Sequence, residues 1–239
     1  MGTLTLVRHG QASFGAADYD RLSERGVEQA RALGRRWAEA RFAPTAIYCG
    51  PMKRQRDTAA LACETAVAAG HPLPTPVELP ELAEYPAFEL LARFLPGFVQ
   101  QYPELARMQD GSLTTADRHA LMDRGFNLVI DAWCGDRLDC GDLETFGRFI
   151  ERVRRGIAHM TAAHAERGAR VVAVTSGGPI GVALKLALAL DGAATMRQWQ
   201  LVRNASITEL LWRARDPAEL SLLSFNHVDH LPADTITFR

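Results

Sequence analysis

The sequence predicts an α/β fold: a three-layer α/β/α sandwich with a mainly parallel sheet and a helical cap insertion. Three observations point there. Short β-branched and apolar runs alternate with amphipathic helices early in the chain. The middle offers short helices without a convincing strand, and the closing segments alternate apolar and polar residues with a period of two.

Taken in order, residues 3–7 form a first strand, and residues 23–40 (SERGVEQARALGRRWAEA) a helix with Ser23 as N-cap ahead of Glu24. Residues 46–49 read as a second strand and 51–69 as an Ala-rich helix stopped by Gly70 and Pro72. A short third strand at 77–79 sits in the Pro-rich HPLPTPVELPEL. From Glu84 to about Asp139 the rhythm breaks, as expected of a helical cap inserted into one domain spanning residues 1–239. A long amphipathic helix then covers 143–167, entered at Asp142, followed by a buried strand at 170–174 (RVVAV). TSGGPI turns into an apolar helix at 180–190, and SITELLW and LSLLSF give two closing strands, antiparallel at a sheet edge.

Composition narrows the partners. A chain of 239 residues can bury a sizeable core, and its 27 Lys and Arg nearly cancel 28 Asp and Glu. That balance lacks the summed positive field that nucleic acid or an anionic membrane surface selects, so anion recognition has to be local. Cys49, Cys63, Cys134 and Cys140 show no CxxC spacing and are expected to be reduced and structural, not metal ligands. The N-terminal segment does not read as a secretory signal. The most apolar stretch, 180–190, is about half a membrane span and contains Lys185, so the expected location is cytoplasmic, with no membrane partner. Whether the chain forms a homo-oligomer stays open.

The chemistry-bearing residues cluster at predicted strand ends, where an open α/β sheet places its ligand crevice. Arg8, His9 and Gly10 end the first strand. A histidine whose second ring nitrogen bonds a backbone carbonyl has a fixed tautomer and a free, neutral nucleophilic nitrogen. Arg8 beside it has the fork geometry for phosphate oxygens, and Gly10 would let the backbone approach an anion.

Beyond this triplet, the stretch RHGQASFGAADYDRLSERGVEQARALG, then GPMKRQRDTA, LPEL and VTSGGPI, each near a strand end, together resemble the histidine phosphatase superfamily, which includes phosphoglycerate mutases. The resemblance implies the phosphoglycerate mutase-like fold and a hydrolase of small phosphorylated substrates, a phosphatase that needs neither a metal nor another cofactor. His9 then corresponds to the phosphohistidine nucleophile, Arg8 and Arg54 to phosphate-binding arginines, and Glu81 to the general acid. Arg56, a near neighbour of Arg54, is the alternative that could reach the pocket instead. Glu84 is the alternative to Glu81, since ELAEYPAFE lacks the glycine and tryptophan usual after the acid. Gln11 and Ser13 stand where the family has polar phosphate contacts, or else cap the loop.

One departure stands out. Where the family usually carries a second histidine, between the Thr and the first Gly of TSGGPI, this chain has Ser176. Losing one such donor typically lowers a rate by about a hundred to a thousandfold. The backbone amides of Ser176, Gly177 and Gly178 at a helix N-terminus remain a phosphate cradle. His227 or His230 in SFNHVDHL could substitute for the imidazole. Two further readings follow: a catalytically impaired phosphate-ester binding or regulatory protein, and a phosphoglycerate mutase proper. The cap, with Tyr85, Phe88, Phe94, Phe98 and Tyr102, would select the leaving group and looks greasier than a carboxylate-binding mutase requires.

Overall fold

The computed structural model describes residues 1–13, 19–213 and 216–238. Residues 14–18, the FGAAD of the first motif, lie outside the described residues. The elements run β1 (Gly2–Arg8), α1 (Glu24–Glu39), β2 (Ala46–Cys49), α2 (Lys53–Ala68), β3 (Val77–Glu78) and a 3-10 turn at Pro80–Leu82. Next come α3 (Ala87–Gln101), a second 3-10 segment (Pro103–Gln109), α4 (Thr115–Cys134), α5 (Phe146–Ala163), β4 (Arg170–Thr175) and α6 (Gly177–Leu188). The chain closes with α7 (Gly192–Leu201), β5 (Ile207–Arg213), β6 (Asp216–His227) and a last 3-10 turn, Ala233–Thr235.

The six strands form one mixed sheet in the order β3-β2-β4-β1-β5-β6. The pairs β3/β2, β2/β4 and β4/β1 are parallel, while β1/β5 and β5/β6 are antiparallel, as expected of the two alternating closing segments. Strand alternation gives each face its own core. Val7, Ile47, Cys49, Val172 and Val174 pack with Leu33 and Trp37 of α1 and with Ala59, Ala62 and Cys63 of α2. Leu4, Leu6, Val171 and Ala173 are equally buried on the opposite face, where Tyr48 meets His159 of α5 edge to face. All four cysteines are free and buried, and burial pushes the Cys63 thiol up to about 11 and the Cys134 thiol up to about 12.

The chain divides into two compact units, Met1–Glu84 with Ile150–Arg239, and Tyr85–Phe149. The second is helical, centred on fully buried Trp133, which stacks on Tyr85 at 5.2 Å and sits 5.7 Å from Phe149 between ring centroids. Among the described residues no helix is long and apolar enough to cross a membrane.

Local rules account for most element ends. Ser23 caps α1, its hydroxyl accepting from the Gly26 amide at 3.1 Å. α5 begins later than the sequence suggests. Thr145 accepts from the Arg148 amide at 3.2 Å at its first turn, while Asp142 is drawn into a 2.6 Å ion pair with Arg93. α6 begins earlier, directly after Ser176. A proline in the first helical turn removes an N–H that has no intrahelical acceptor anyway, so Pro179 does not delay the start. α7, capped by Asp191 on the Ala194 amide, was not anticipated.

Candidate active site

The β1/β4 pairing builds the site. Parallel register sets Arg8 beside Thr175, so the next residues, His9 and Ser176, leave the sheet at the same edge. The His9 amide continues the ladder onto the Thr175 carbonyl at 2.8 Å. On its other side the His9 carbonyl accepts from the Ala205 amide and from Asn204 Nδ2, both at 3.2 Å. Its backbone is thus held by β4 on one side and by the turn ahead of β5 on the other.

The imidazole is 4% exposed. Nδ1 lies 2.7 Å from the Gly10 carbonyl. A carbonyl only accepts, so Nδ1 carries the proton and Nε2 keeps its lone pair. Nε2 in turn accepts from Arg54 Nε at 3.0 Å, a donor that a protonated Nε2 would repel. Burial, then the charges of Arg54 and Arg8, hold the His9 pKa well below its usual value, with the Gly10 carbonyl opposing them. The ring is therefore neutral, with one nitrogen presented.

Arg54 is 5% exposed in the first turn of α2. Its Nη1 pairs with Asp20 Oδ1 at 2.6 Å and its guanidinium lies over the Tyr19 ring at 5.5 Å. Asp20 Oδ2 also accepts from the Lys53 amide at 2.8 Å, so one carboxylate fixes both the arginine and the helix start. Thr58 joins the two segments. Its hydroxyl accepts from the Gly10 amide at 3.0 Å and donates to the Arg54 carbonyl at 2.7 Å. Arg56, the near neighbour, points elsewhere and makes an exposed 3.1 Å pair with Glu78.

Arg8 Nη1 donates to the carbonyls of Val202 and Phe238, the latter at 2.7 Å. Gly10 is required by packing: a Cβ there would lie 2.4 Å from the Gly26 carbonyl oxygen of α1. Gln11 is tied to the same helix. Its amide donates to Gln29 Oε1 at 2.8 Å, and its side-chain carbonyl accepts from the Ser23 hydroxyl at 3.0 Å. The Ser13 amide donates to the Arg21 carbonyl at 2.8 Å.

The facing wall belongs to β4 and α6. Ser176 is fully buried, and its Oγ accepts from Gln55 Nε2 at 2.8 Å. Gly177 opens α6, and the following amide, Gly178, donates to Glu84 Oε2 at 3.2 Å. A carboxylate oxygen thus lies at the helix N-terminus, where the macrodipole favours negative charge. The geometry brings Glu84 to this wall and turns Glu81 away. The 3-10 turn ends when the Ala83 amide meets the Pro80 carbonyl at 3.1 Å. Arg152 Nη1 then holds the Glu81 and Ala83 carbonyls at 3.0 and 2.9 Å. That fold-back stands the Glu81 stem against Gly156 of α5, where an added Cβ would come within 2.7 Å of it, and aims Glu84 at α6.

The two histidines considered as substitutes for an imidazole at Ser176 have other partners. His227 is exposed, 3.5 Å from Asp229. His230 packs behind Ala205, lining a surface cavity of about 310 Å³ with Arg35, Arg36 and Glu39. Its burial and the charge of Arg36 lower its pKa to about 4, against a hydrogen bond to the Ala205 backbone that raises it. Asp20, Gln55, Thr58 and Asn204 are site residues that sequence reasoning missed. Gln55 and Thr58 stand inside GPMKRQRDTA, but their partners are distant in the chain.

A mainly parallel sheet with a buried histidine and arginine at its strand ends is the build of the phosphoglycerate mutase-like α/β class. The chain belongs to the histidine phosphatase superfamily (branch 1), which matches residues 4–224. Among similar solved structures, phosphoglycerate mutase from Bacillus anthracis is 19% identical, with a TM-score of 0.63 over 95% of this chain and 94% of that one. A mycobacterial glucosyl-3-phosphoglycerate phosphatase is 24% identical, with a TM-score of 0.59 over 94% and 98%. The α-ribazole phosphatase of Shigella flexneri is 17% identical, with a TM-score of 0.60 over 94% and 96%. A search of curated proteins gives no match.

Proposed function

We propose that this protein is a metal-independent phosphomonoester hydrolase acting on a small phosphorylated substrate through a phosphohistidine at His9 Nε2. The observation that carries the proposal is the neutral imidazole whose Nδ1 proton is held by the Gly10 carbonyl while Nε2 faces a guanidinium. The Nε2 lone pair attacks phosphorus, the ester P–O bond breaks, and the leaving oxygen takes a proton from a carboxylic acid. Water then gives a proton to that carboxylate and attacks phosphorus. The P–N bond breaks, phosphate leaves, and His9 returns neutral.

Arg54, released from Nε2 by the incoming dianion, and Arg8 balance the charge on the phosphoryl oxygens, the work a metal would otherwise do. Ser176, Gly177 and Gly178 offer donors from the facing wall, and Gln11 and Ser13 shape the loop after the nucleophile. For the acid and base we assign Glu84 in place of Glu81, because its carboxylate lies against the Gly178 amide. We also propose a single histidine phosphatase domain with a helical insertion, residues 85–149 forming a compact unit of their own.

The test is hydrolysis of an aryl phosphate from acid to neutral pH, with a chelator present and His9→Ala as control. Turnover that survives the chelator and disappears in the variant is expected. Equal turnover in both proteins would overturn the assignment. A second reading, a phosphate-ester binding or regulatory protein with little turnover, is favoured by the hydroxyl at Ser176. Its mark would be binding of a phosphorylated ligand without product.

A further inference from the structure

One hydroxyl on the β4/α6 wall has its direction dictated by its neighbours. Gln55, one residue beyond Arg54, is fully buried. Its Oε1 accepts from the Met52 amide at 3.1 Å, so its Nε2 must face away from that amide. There Nε2 donates to the Leu82 carbonyl at 3.2 Å and to Ser176 Oγ at 2.8 Å, which uses both of its hydrogens. Flipping the side-chain amide would set oxygen against the Leu82 carbonyl and N–H against the Met52 N–H, so the orientation is fixed by the network.

A serine oxygen that receives a hydrogen still has its own to give. The Leu82 carbonyl cannot take it, because Thr175 Oγ1 at 2.7 Å and Gln55 already fill its two lone pairs. Gln55 presents only N–H groups on that side. Among the described residues no acceptor receives the Ser176 hydrogen. The room for this arrangement is built in: a Cβ at Gly50 would come within 2.1 Å of Gln55 Oε1. Close by in the chain, the Gly178 amide donates to Glu84 Oε2 at 3.2 Å.

We infer that Gln55 is a positioning residue that obliges Ser176 to act as a hydrogen-bond donor to the anion held at the N-terminus of α6. Resting on the function proposed above, that anion is the phosphoryl group of the substrate. Gln55 and Ser176 together then supply a neutral donor. Gln55 acts through Ser176 and does not itself touch the substrate.

A double-mutant cycle tests this on the intact protein, with inorganic phosphate binding by calorimetry and aryl phosphate turnover as separate readouts. Ser176→Ala is expected to weaken phosphate binding about ten- to a hundredfold, the range for a hydrogen bond to a charged group. Gln55→Glu presents an acceptor to Ser176, draws the hydroxyl hydrogen away from the anion, and is expected to lose a similar factor. Gln55→Met, which adds no charge, should lose less, and melting curves check that each variant folds. The decisive expectation is that neither Gln55 substitution weakens binding further in the Ser176→Ala background. Losses that multiply, or folded Gln55 variants that bind phosphate like the parent, overturn the inference. If the parent protein neither binds phosphate nor shows His9-dependent turnover, the function proposed above fails and takes this inference with it. If the parent does both and the cycle is additive, only this inference falls.

Discussion

At the end of β1 the site is charged and heavily restrained: His9 is held through its carbonyl, its amide and Nδ1, with Arg8 and Arg54 beside it. Beside it, the end of β4 carries no guanidinium of its own but offers a hydroxyl held by Gln55, helix amides and a carboxylate. The difference separates two tasks. Under the proposed function, the β1 and α2 side sets the protonation state of the nucleophile and balances the dianion, while the β4 and α6 side supplies neutral donors. A change on the first side should therefore reduce turnover more than a change on the second.

The largest expected effect is at His9. His9→Ala should lower aryl phosphate turnover by about a thousandfold or more, since the proposed nucleophile is gone. Arg54→Ala should follow, with a loss of about a hundred to a thousandfold, while Arg56→Ala, which removes only an exposed ion pair, should leave turnover close to that of the parent. Comparable losses from the two arginine variants in steady-state assays would erase the distinction between buried and surface charge. On the facing wall, Glu84→Gln should lower turnover about a hundredfold or more and Glu81→Gln far less, measured with a substrate whose leaving group needs a proton. The reverse order would return the acid role to Glu81.

The smallest effect is on stability. His9 and His230 both titrate below the value of about 6.5 that they have in an unfolded chain, His230 at about 4. Below pH 6.5 the unfolded chain takes up protons on these rings that the folded protein refuses, which favours unfolding. The stability present above that pH is lost as pH falls toward 4. Melting temperature should drop across this window, and less steeply in His230→Gln. An unchanged slope in that variant would contradict the burial argument.

What could be read from the sequence was what depends on near neighbours. The strand before RHG, the Ser23 cap and the β2 boundaries follow from periodicity and short-range hydrogen bonding, and the motifs placed His9 and Arg54 at strand ends. What escaped depends on distant partners. Glu81 and Glu84 are three residues apart, and only the 3-10 turn clamped by Arg152 decides which one faces α6. Gln55 meets Ser176 across 121 positions of sequence, and Asn204 reaches the His9 carbonyl across 195. Arg54 and Arg56 stand two residues apart in one motif, and it is the helix phase at the start of α2 that buries one and exposes the other.

The most direct test of the central claim is to quench the reaction with an aryl phosphate under conditions that preserve phosphohistidine, then locate any adduct by peptide mass spectrometry and by NMR of the modified ring. One phosphoryl group is expected on His9, attached at Nε2 because Nδ1 is committed to the Gly10 carbonyl. A phosphoryl group on Nδ1 or on another residue, or turnover without any protein adduct, would contradict it.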